Sequence, residues 1–298
     1  MDVVVIGNTT LDVLCYPVND VPRDDSLSFD QAMLAPGGCG CNVAIGLASL
    51  GVSAGLVTVI SDDPAYQVVE AYWQRAGVDQ RFVRRVTGRG PAVSICLVDH
   101  EYQPRFIHTP GPNRLLTSPD LDIDLYVQAG ARALMVAGFY VLPGLLDGGL
   151  PAFLQAARAR GILTFLDVAN TPRMDQVPQA FWDCLPHLDY CLCNTREARR
   201  LTGLENPSEI TCAFRAHGAG AAIVKLGAEG CWADSAAFTG RLPGKTVPVV
   251  DTTGAGDAFA AGLIAACLRD EALPAACAAA NEAGARIVTA LGAVTAWF

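Results

Sequence analysis

The sequence contains no Cys-x-x-Cys pair, although it has 11 cysteines. The closest spacings, Cys39-Gly-Cys41 and Cys191-Leu-Cys193, do not match a zinc ligand pattern. Cys96, Cys267 and Cys277 sit among apolar neighbours, so the set reads as small core side chains in a reducing, cytoplasmic compartment. There is also no run of lysines and arginines, and the formal net charge is −9. That combination argues against nucleic acid or a membrane surface as a partner. Charge is altogether absent between Asp30 and Asp62, but Pro36, Gly37, Gly38, Gly40, Gly46, Gly51 and Gly55 break the stretch into loop, helix and strand. A membrane-spanning helix is not expected there. The opening Met1-Asp2-Val3-Val4-Val5-Ile6-Gly7 has no basic leader and reads as a buried first strand, not a signal peptide. Tandem repeats, low-complexity tracts and linkers are missing too.

What is present is a chain of 298 residues that is 51% apolar and 17% charged, enough to bury a large core. Strand-like and helix-like segments alternate along it. Val3–Ile6, Gly55–Ile60, Ala133–Ala137, Ile162–Leu166, Tyr190–Cys193 and Ala221–Lys225 read as strands. Asn42–Leu50, Tyr66–Ala76, Leu150–Arg160, Arg196–Leu201, Asp257–Leu268 and Ala275–Leu291 read as helices. Repeated β-α units imply an α/β domain with a mostly parallel central sheet covered by helices. Residues 1–298 are read as a single domain. Leu14–Leu34 and Ala92–Thr109 contain no convincing helix and are expected to form a small β-structured flap. In open parallel sheets ligands bind beyond the carboxyl ends of the strands, where Asp167, Asn194 and Gly227 fall.

Two motifs are decoys. Gly51-Val52-Ser53-Ala54-Gly55 matches the hydrolase G-x-S-x-G pattern, but a helix precedes it and a strand follows, the reverse of a nucleophile elbow. Gly240 to Thr246 is one residue short of a P-loop, and extended Val247–Val250 follows it instead of a helix.

The run Asp251-Thr252-Thr253-Gly254-Ala255-Gly256-Asp257 is different. Extended residues end at Val250, and a Gly-Ala-Gly turn opens onto an alanine-rich helix. Unpaired N–H groups at a helix start, with the positive end of its dipole, form an anion hole. Gly254 and Gly256 let a phosphate approach the backbone. Asp257, in the first helical turn, suits either an N-cap or a base that accepts the proton of an attacking hydroxyl, and spacing alone does not decide between them.

That run resembles the C-terminal signature of the ribokinase-like, or PfkB, carbohydrate kinases. Gly37-Gly38-Cys39-Gly40-Cys41-Asn42-Val43-Ala44 with Leu50-Gly51 is similar to their N-terminal signature. Asn194-Thr195-Arg196-Glu197 looks like the family's N-x-x-E, and Lys225-Leu226-Gly227-Ala228-Glu229-Gly230 like its nucleotide-binding strand end. The four motifs appear in order across essentially the whole chain.

The resemblance implies a three-layer sandwich with a small β-structured lid, which Leu14–Leu34 and Ala92–Thr109 would supply. It implies an ATP-dependent kinase of a hydroxymethyl group on a small sugar or sugar-like acceptor. Asp257 would be the general base, and the N–H groups of Gly254, Ala255 and Gly256 would hold the transferring phosphoryl group. Asn194 and Glu197 would organise Mg²⁺ through water, although the same pair alone also reads as a helix capping box. Lys225, Gly227, Gly230 and Asn281 would lie near the nucleotide with Asn194; the family varies at Lys225, and Asn281 also suits a helix face. Asp12, Gly38 and Asn42 would meet the sugar from the first β-α turn and the Gly-Gly segment, with Asn42 alone also readable as an N-cap. Asp251 and Thr253, near Gly292, match a K⁺ site of some members, but Ala296 replaces a usual serine. Thr10 stands in place of asparagine and Cys39 in place of lysine, which speaks against ribose itself. The alternatives are a nucleoside kinase of the adenosine type and, against the intact Asp257 and glycines, a non-catalytic sensor. Free strand edges on the lid invite a homodimer.

Overall fold

A computed structural model describes residues 1–101, 104–169 and 171–298; Tyr102 and Gln103 of the expected flap lie outside that set. Thirteen strands are found among the described residues: β1 (Val3–Gly7), β2 (Thr10–Tyr16), β3 (Gln31–Gly37), β4 (Ala54–Ser61), β5 (Val83–Val86), β6 (Val93–Val98), β7 (Pro104–Thr109), β8 (Ala133–Ala137), β9 (Leu163–Asp167), β10 (Tyr190–Asn194), β11 (Ala221–Lys225), β12 (Cys231–Ser235) and β13 (Thr239–Leu242). The helices are α1 (Cys39–Ser49), α2 (Tyr66–Ala76), α3 (Ile123–Gln128), α4 (Leu150–Ala159), α5 (Arg173–Gln176), α6 (Gln179–Cys184), α7 (Thr195–Thr202), α8 (Pro207–Ala216), α9 (Ala255–Cys267) and α10 (Leu273–Ile287).

Nine strands make the central sheet in the order β13-β12-β11-β10-β9-β8-β1-β4-β5. Pairing is parallel from β11 across to β5, and β12 and β13 extend one edge antiparallel. Alternation along single strands sets the layers. Val3 and Val5 face a core shared with α1, α2, α9 and α10, while Val4 and Ile6 face a core shared with α4, α6 and α8. Both faces are buried, which is why these strands are continuous apolar runs. Helix α9 is the extreme case: Ala258 to Cys267 are buried all round, and small residues let it approach α10 closely.

Four strands, β3-β2-β6-β7, form a second sheet. Its β2–β3 pair begins at Thr10 and ends at Gly37, wider at both ends than the Leu14–Leu34 segment expected for the flap. Its core is small: Leu14, Ala35, Cys96 and Val98.

The β-α alternation is found as read, with Tyr66–Ala76, Ala133–Ala137 and Ala221–Lys225 matching residue for residue. Both decoys fail structurally: Gly51 lies between α1 and β4, and Gly240 lies within β13 with no helix after it. Two expectations need correction. Asp12 is not in a β-α turn, because the chain passes from β1 straight into β2 of the second sheet. Asn42 is not an N-cap either; α1 starts at Cys39, with Gly38 in the cap position.

Candidate active site

Helix α9 starts where the sequence placed the Gly-Ala-Gly turn. Gly254 is its N-cap at φ +78°, and a side chain there would strike Ala293, with its carbonyl oxygen 2.6 Å from the added carbon. Only glycine fits a left-handed position so close to another backbone. Behind the turn, Asp251 is 1% exposed. Its carboxylate accepts from Thr253 N (2.9 Å), Thr253 Oγ1 (2.7 Å) and Gly292 N (2.8 Å). Asp251, Thr253 and Gly292 thus form a hydrogen-bonded brace under the turn, and three protein donors account for the buried carboxylate.

Asp257 projects from the first turn of α9. Asn42 Nδ2 donates to Asp257 Oδ2 at 2.8 Å, linking α1 to α9. Burial pushes the Asp257 carboxyl up to about 6; the Asn42 amide opposes this, the Asp167 charge adds to it, and Lys225 and the Cys39 thiol oppose it. A carboxylate poised near neutrality suits general-base work. Asn42 is 5% exposed, and its Oδ1 is buried without a hydrogen-bond partner.

A cavity of about 380 Å³ lies against the turn. Around it the structure gathers Asn194, Lys225, Gly227, Gly230, Ala255, Gly256 and Asn281, all singled out in the sequence. Thr252 of the same run also lines it, and so do Val247, Val249, Phe259 and Val288, to which sequence reasoning gave no site role because apolar lining residues have no motif. Asn281 donates to the Leu242 and Pro243 carbonyls at 3.3 and 3.1 Å, so it also ties α10 to the end of β13. Asn194 and Glu197 form a reciprocal capping box at α7: Glu197 N donates to Asn194 Oδ1 (2.9 Å), and Asn194 N donates to Glu197 Oε2 (2.8 Å). The capping reading of that motif is therefore realised, and Glu197 is buried. Among the described residues no three His, Cys, Asp or Glu side chains cluster as a metal cage. A hard cation here would keep several waters, which is what Mg²⁺ prefers, and one buried carboxylate beside an amide fits that mode.

At the ends of β9 and β11, Lys225 Nζ donates to Asp167 Oδ1 (2.8 Å) and Oδ2 (2.6 Å). Burial works against the Lys225 charge, but Asp167, Glu197 and Asp257 outweigh it and hold its pKa above the ordinary value. Lys225 is one of only two lysines in the chain; the other, Lys245, pairs with Glu282 at the surface.

The remaining predicted residues do not line this cavity. Asp12 in β2 is 6% exposed, and Thr10 Oγ1 donates to its Oδ1 at 2.6 Å. Burial pushes its carboxyl up to about 6, with Thr10 opposing and Asp251 adding. A side chain at Gly37 would collide with the Asp12 carboxyl, and Gly38 holds φ +88° against Asn8 and Thr9. Buried Cys41 lies within electrostatic reach of both Asp12 and Asp257. Two asparagines that no motif announced shape this region. Asn8 Oδ1 accepts from Cys39 N (2.9 Å), and Asn113 bonds both Thr9 N and Thr9 O.

No helix among the described residues is long and apolar enough to cross a membrane. All 11 cysteines are unpaired.

The family model for pfkB family carbohydrate kinases matches residues 1–297. Aminoimidazole riboside kinase of Salmonella typhimurium strain LT2 is 30% identical to this chain over 98% of it and 90% of the relative. Fructokinase-1 of Oryza sativa subsp. japonica is 28% identical, over 93% and 90%. The crystal structure of aminoimidazole riboside kinase from Salmonella enterica, complexed with aminoimidazole riboside and an ATP analog, superposes with a TM-score of 0.80 at 27% identity, covering 100% of this chain and 97% of that one. The three-layer fold, the order of motifs and a family match across almost every residue lead to one conclusion: the chain belongs to the PfkB family of carbohydrate kinases and is a ribokinase-like phosphotransferase.

Proposed function

We propose that the enzyme transfers the terminal phosphoryl group of ATP to a hydroxymethyl group of a small sugar or sugar-like acceptor. The observation that carries this reading is the Asn42–Asp257 contact, which sets a carboxylate with a raised pKa beside the first N–H groups of α9. In the transfer, the acceptor oxygen forms a bond to phosphorus as the bond to the β-phosphate oxygen breaks. ADP leaves with that electron pair, and the acceptor's proton passes to Asp257. The N–H groups of Gly254, Ala255 and Gly256 hold the equatorial oxygens as charge spreads over them. Bound Mg²⁺ would neutralise phosphate charge, with Asn194 and Glu197 ordering its waters. The adenosine end of the donor fits the cavity walled by Gly227, Gly230, Asn281 and Val249.

On the acceptor side, Asp12 accepts two hydroxyl hydrogen bonds, Gly38 allows close approach, and the unpartnered Asn42 Oδ1 takes a third hydroxyl. The second sheet is then the lid that keeps water from the phosphoryl group. A riboside acceptor is the second reading, favoured by the 30% identity to aminoimidazole riboside kinase. K⁺ bound near Asp251 and Thr253, a cytosolic location and a homodimer through the second sheet belong to the same proposal. Leu34, Phe106 and Ile107 are 50%, 46% and 60% exposed there, which supports pairing with a second copy. An ATP-consumption panel of hexoses, pentoses and ribosides tests the function. Turnover with a sugar and none with ribosides favours the first reading, the reverse favours the second, and no turnover with any acceptor refutes both.

A further inference from the structure

Lys225 heads a motif in which its own position varies, so the motif assigns it no chemical role, and its partner Asp167 has none in the chemistry described so far. Asp167 is 4% exposed and ends β9; Lys225 ends β11, with β10 between them. Both carboxylate oxygens of Asp167 hold the one ammonium. The same ammonium is close to the Gly-Ala-Gly turn: a methyl group added at Gly256 would lie 3.2 Å from Lys225 Nζ. The ammonium therefore stands in van der Waals reach of the turn that would grip the phosphoryl group. A buried ion pair contributes little net stability, so the fold alone is a weak reason for one here.

We propose that Lys225 is a catalytic residue contacting the transferring phosphoryl group, and that Asp167 is a positioning residue that acts only through Lys225 by fixing its ammonium against Gly256. The inference rests on the kinase reading above and adds a cation that travels with the fold. As the phosphorus–oxygen bond to ADP breaks and the bond to the acceptor forms, this cation meets the oxygens whose charge grows. The ammonium neither gains nor loses a proton; Asp257 still receives the acceptor's hydrogen.

The test uses three variants of the full chain: K225M, D167N and K225M/D167N. The double variant leaves neither charge buried alone and keeps the test open if K225M folds poorly. K225M is expected to lower kcat by about 10²-fold, the scale of losing one preorganised phosphoryl-stabilising group, with acceptor KM unchanged. ATP binding by calorimetry should weaken by about tenfold, while adenosine, which has no phosphate, binds as in the parent. D167N should lose less, and the double variant should match K225M within about threefold because Asp167 works through one partner. A folded double variant with parental kcat would make the pair structural and overturn the inference. So would a D167N that raises the Mg²⁺ requirement while K225M leaves it unchanged, since Asp167 would then serve the metal. A parent that phosphorylates no acceptor refutes the kinase reading and this inference with it; a parent that turns over while K225M does so equally well overturns this inference alone.

Discussion

In the nine-stranded sheet Val3, Val4, Val5 and Ile6 are all fully buried, two against each helix layer, whereas the four-stranded sheet has, among the described residues, a small core cluster of its own, Leu14, Ala35, Cys96 and Val98, and Leu34, Phe106 and Ile107 face outward. The first sheet is clamped from both sides; the second leans on the domain with one face. The machinery proposed above divides along the same line. Its phosphate side (Lys225, Asp167, Asn194 and the α9 turn) would stand on the clamped sheet and its helices, and its acceptor side would take Asp12 from the leaning one. A shared chemistry placed on a rigid scaffold and a variable specificity placed on a lightly packed one would explain why a single architecture serves relatives with different acceptors.

The sharpest way to break this division is at its junction. Asp257→Asn should lower kcat by about 10²–10⁴-fold, the usual contribution of a general base, with acceptor binding retained. Near-normal turnover in a coupled assay would remove Asp257 from the chemistry. The packing contrast comes next. Phe165, fully buried and stacked on Tyr190 with ring centroids 4.6 Å apart, should cost about 3–5 kcal/mol of stability when changed to alanine. Ile107→Ala should stay within about 0.5 kcal/mol by denaturant unfolding. A large loss at Ile107 would mean that the leaning sheet is covered in solution, which sedimentation would register as a dimer.

Asp12→Ala should weaken acceptor binding by roughly tenfold to a hundredfold, the scale of charged hydrogen bonds, and leave ATP binding alone. Equal loss of both ligands would contradict the division. The smallest effect is in pH dependence. Because burial holds the Asp257 carboxyl at about 6 and only its ionised form accepts a proton, kcat/KM should climb through that pH and level off above it. Asn42→Ala removes an amide that favours the charged form, so the acid limb should move to higher pH. A limb that stays in place would separate Asn42 from the base.

The same contrast governs what the sequence revealed. Strands buried on both faces announce themselves as apolar runs, and Ala133–Ala137 and Ala221–Lys225 were readable to the residue. Strand β5 carries exposed Arg84 and Arg85 and shows no such run. Strands β12 and β13 are short edge additions, and α8 has only Asn206 and Pro207 to mark its start. The phosphate side was legible because glycine is forced wherever backbone meets backbone, as at Gly254 beside Ala293. The Lys225–Asp167 pair was not, since 58 residues separate its members and only the sheet order brings them together.

With just two lysines in 298 residues, the chain is also nearly blank to amine chemistry. The Lys225 side chain is 12% exposed, while that of Lys245 is 57% exposed at the rim of the cavity. Apart from the terminal amine, an acylating label therefore has one open target, and a fluorophore attached there would test whether a nucleotide enters this cavity.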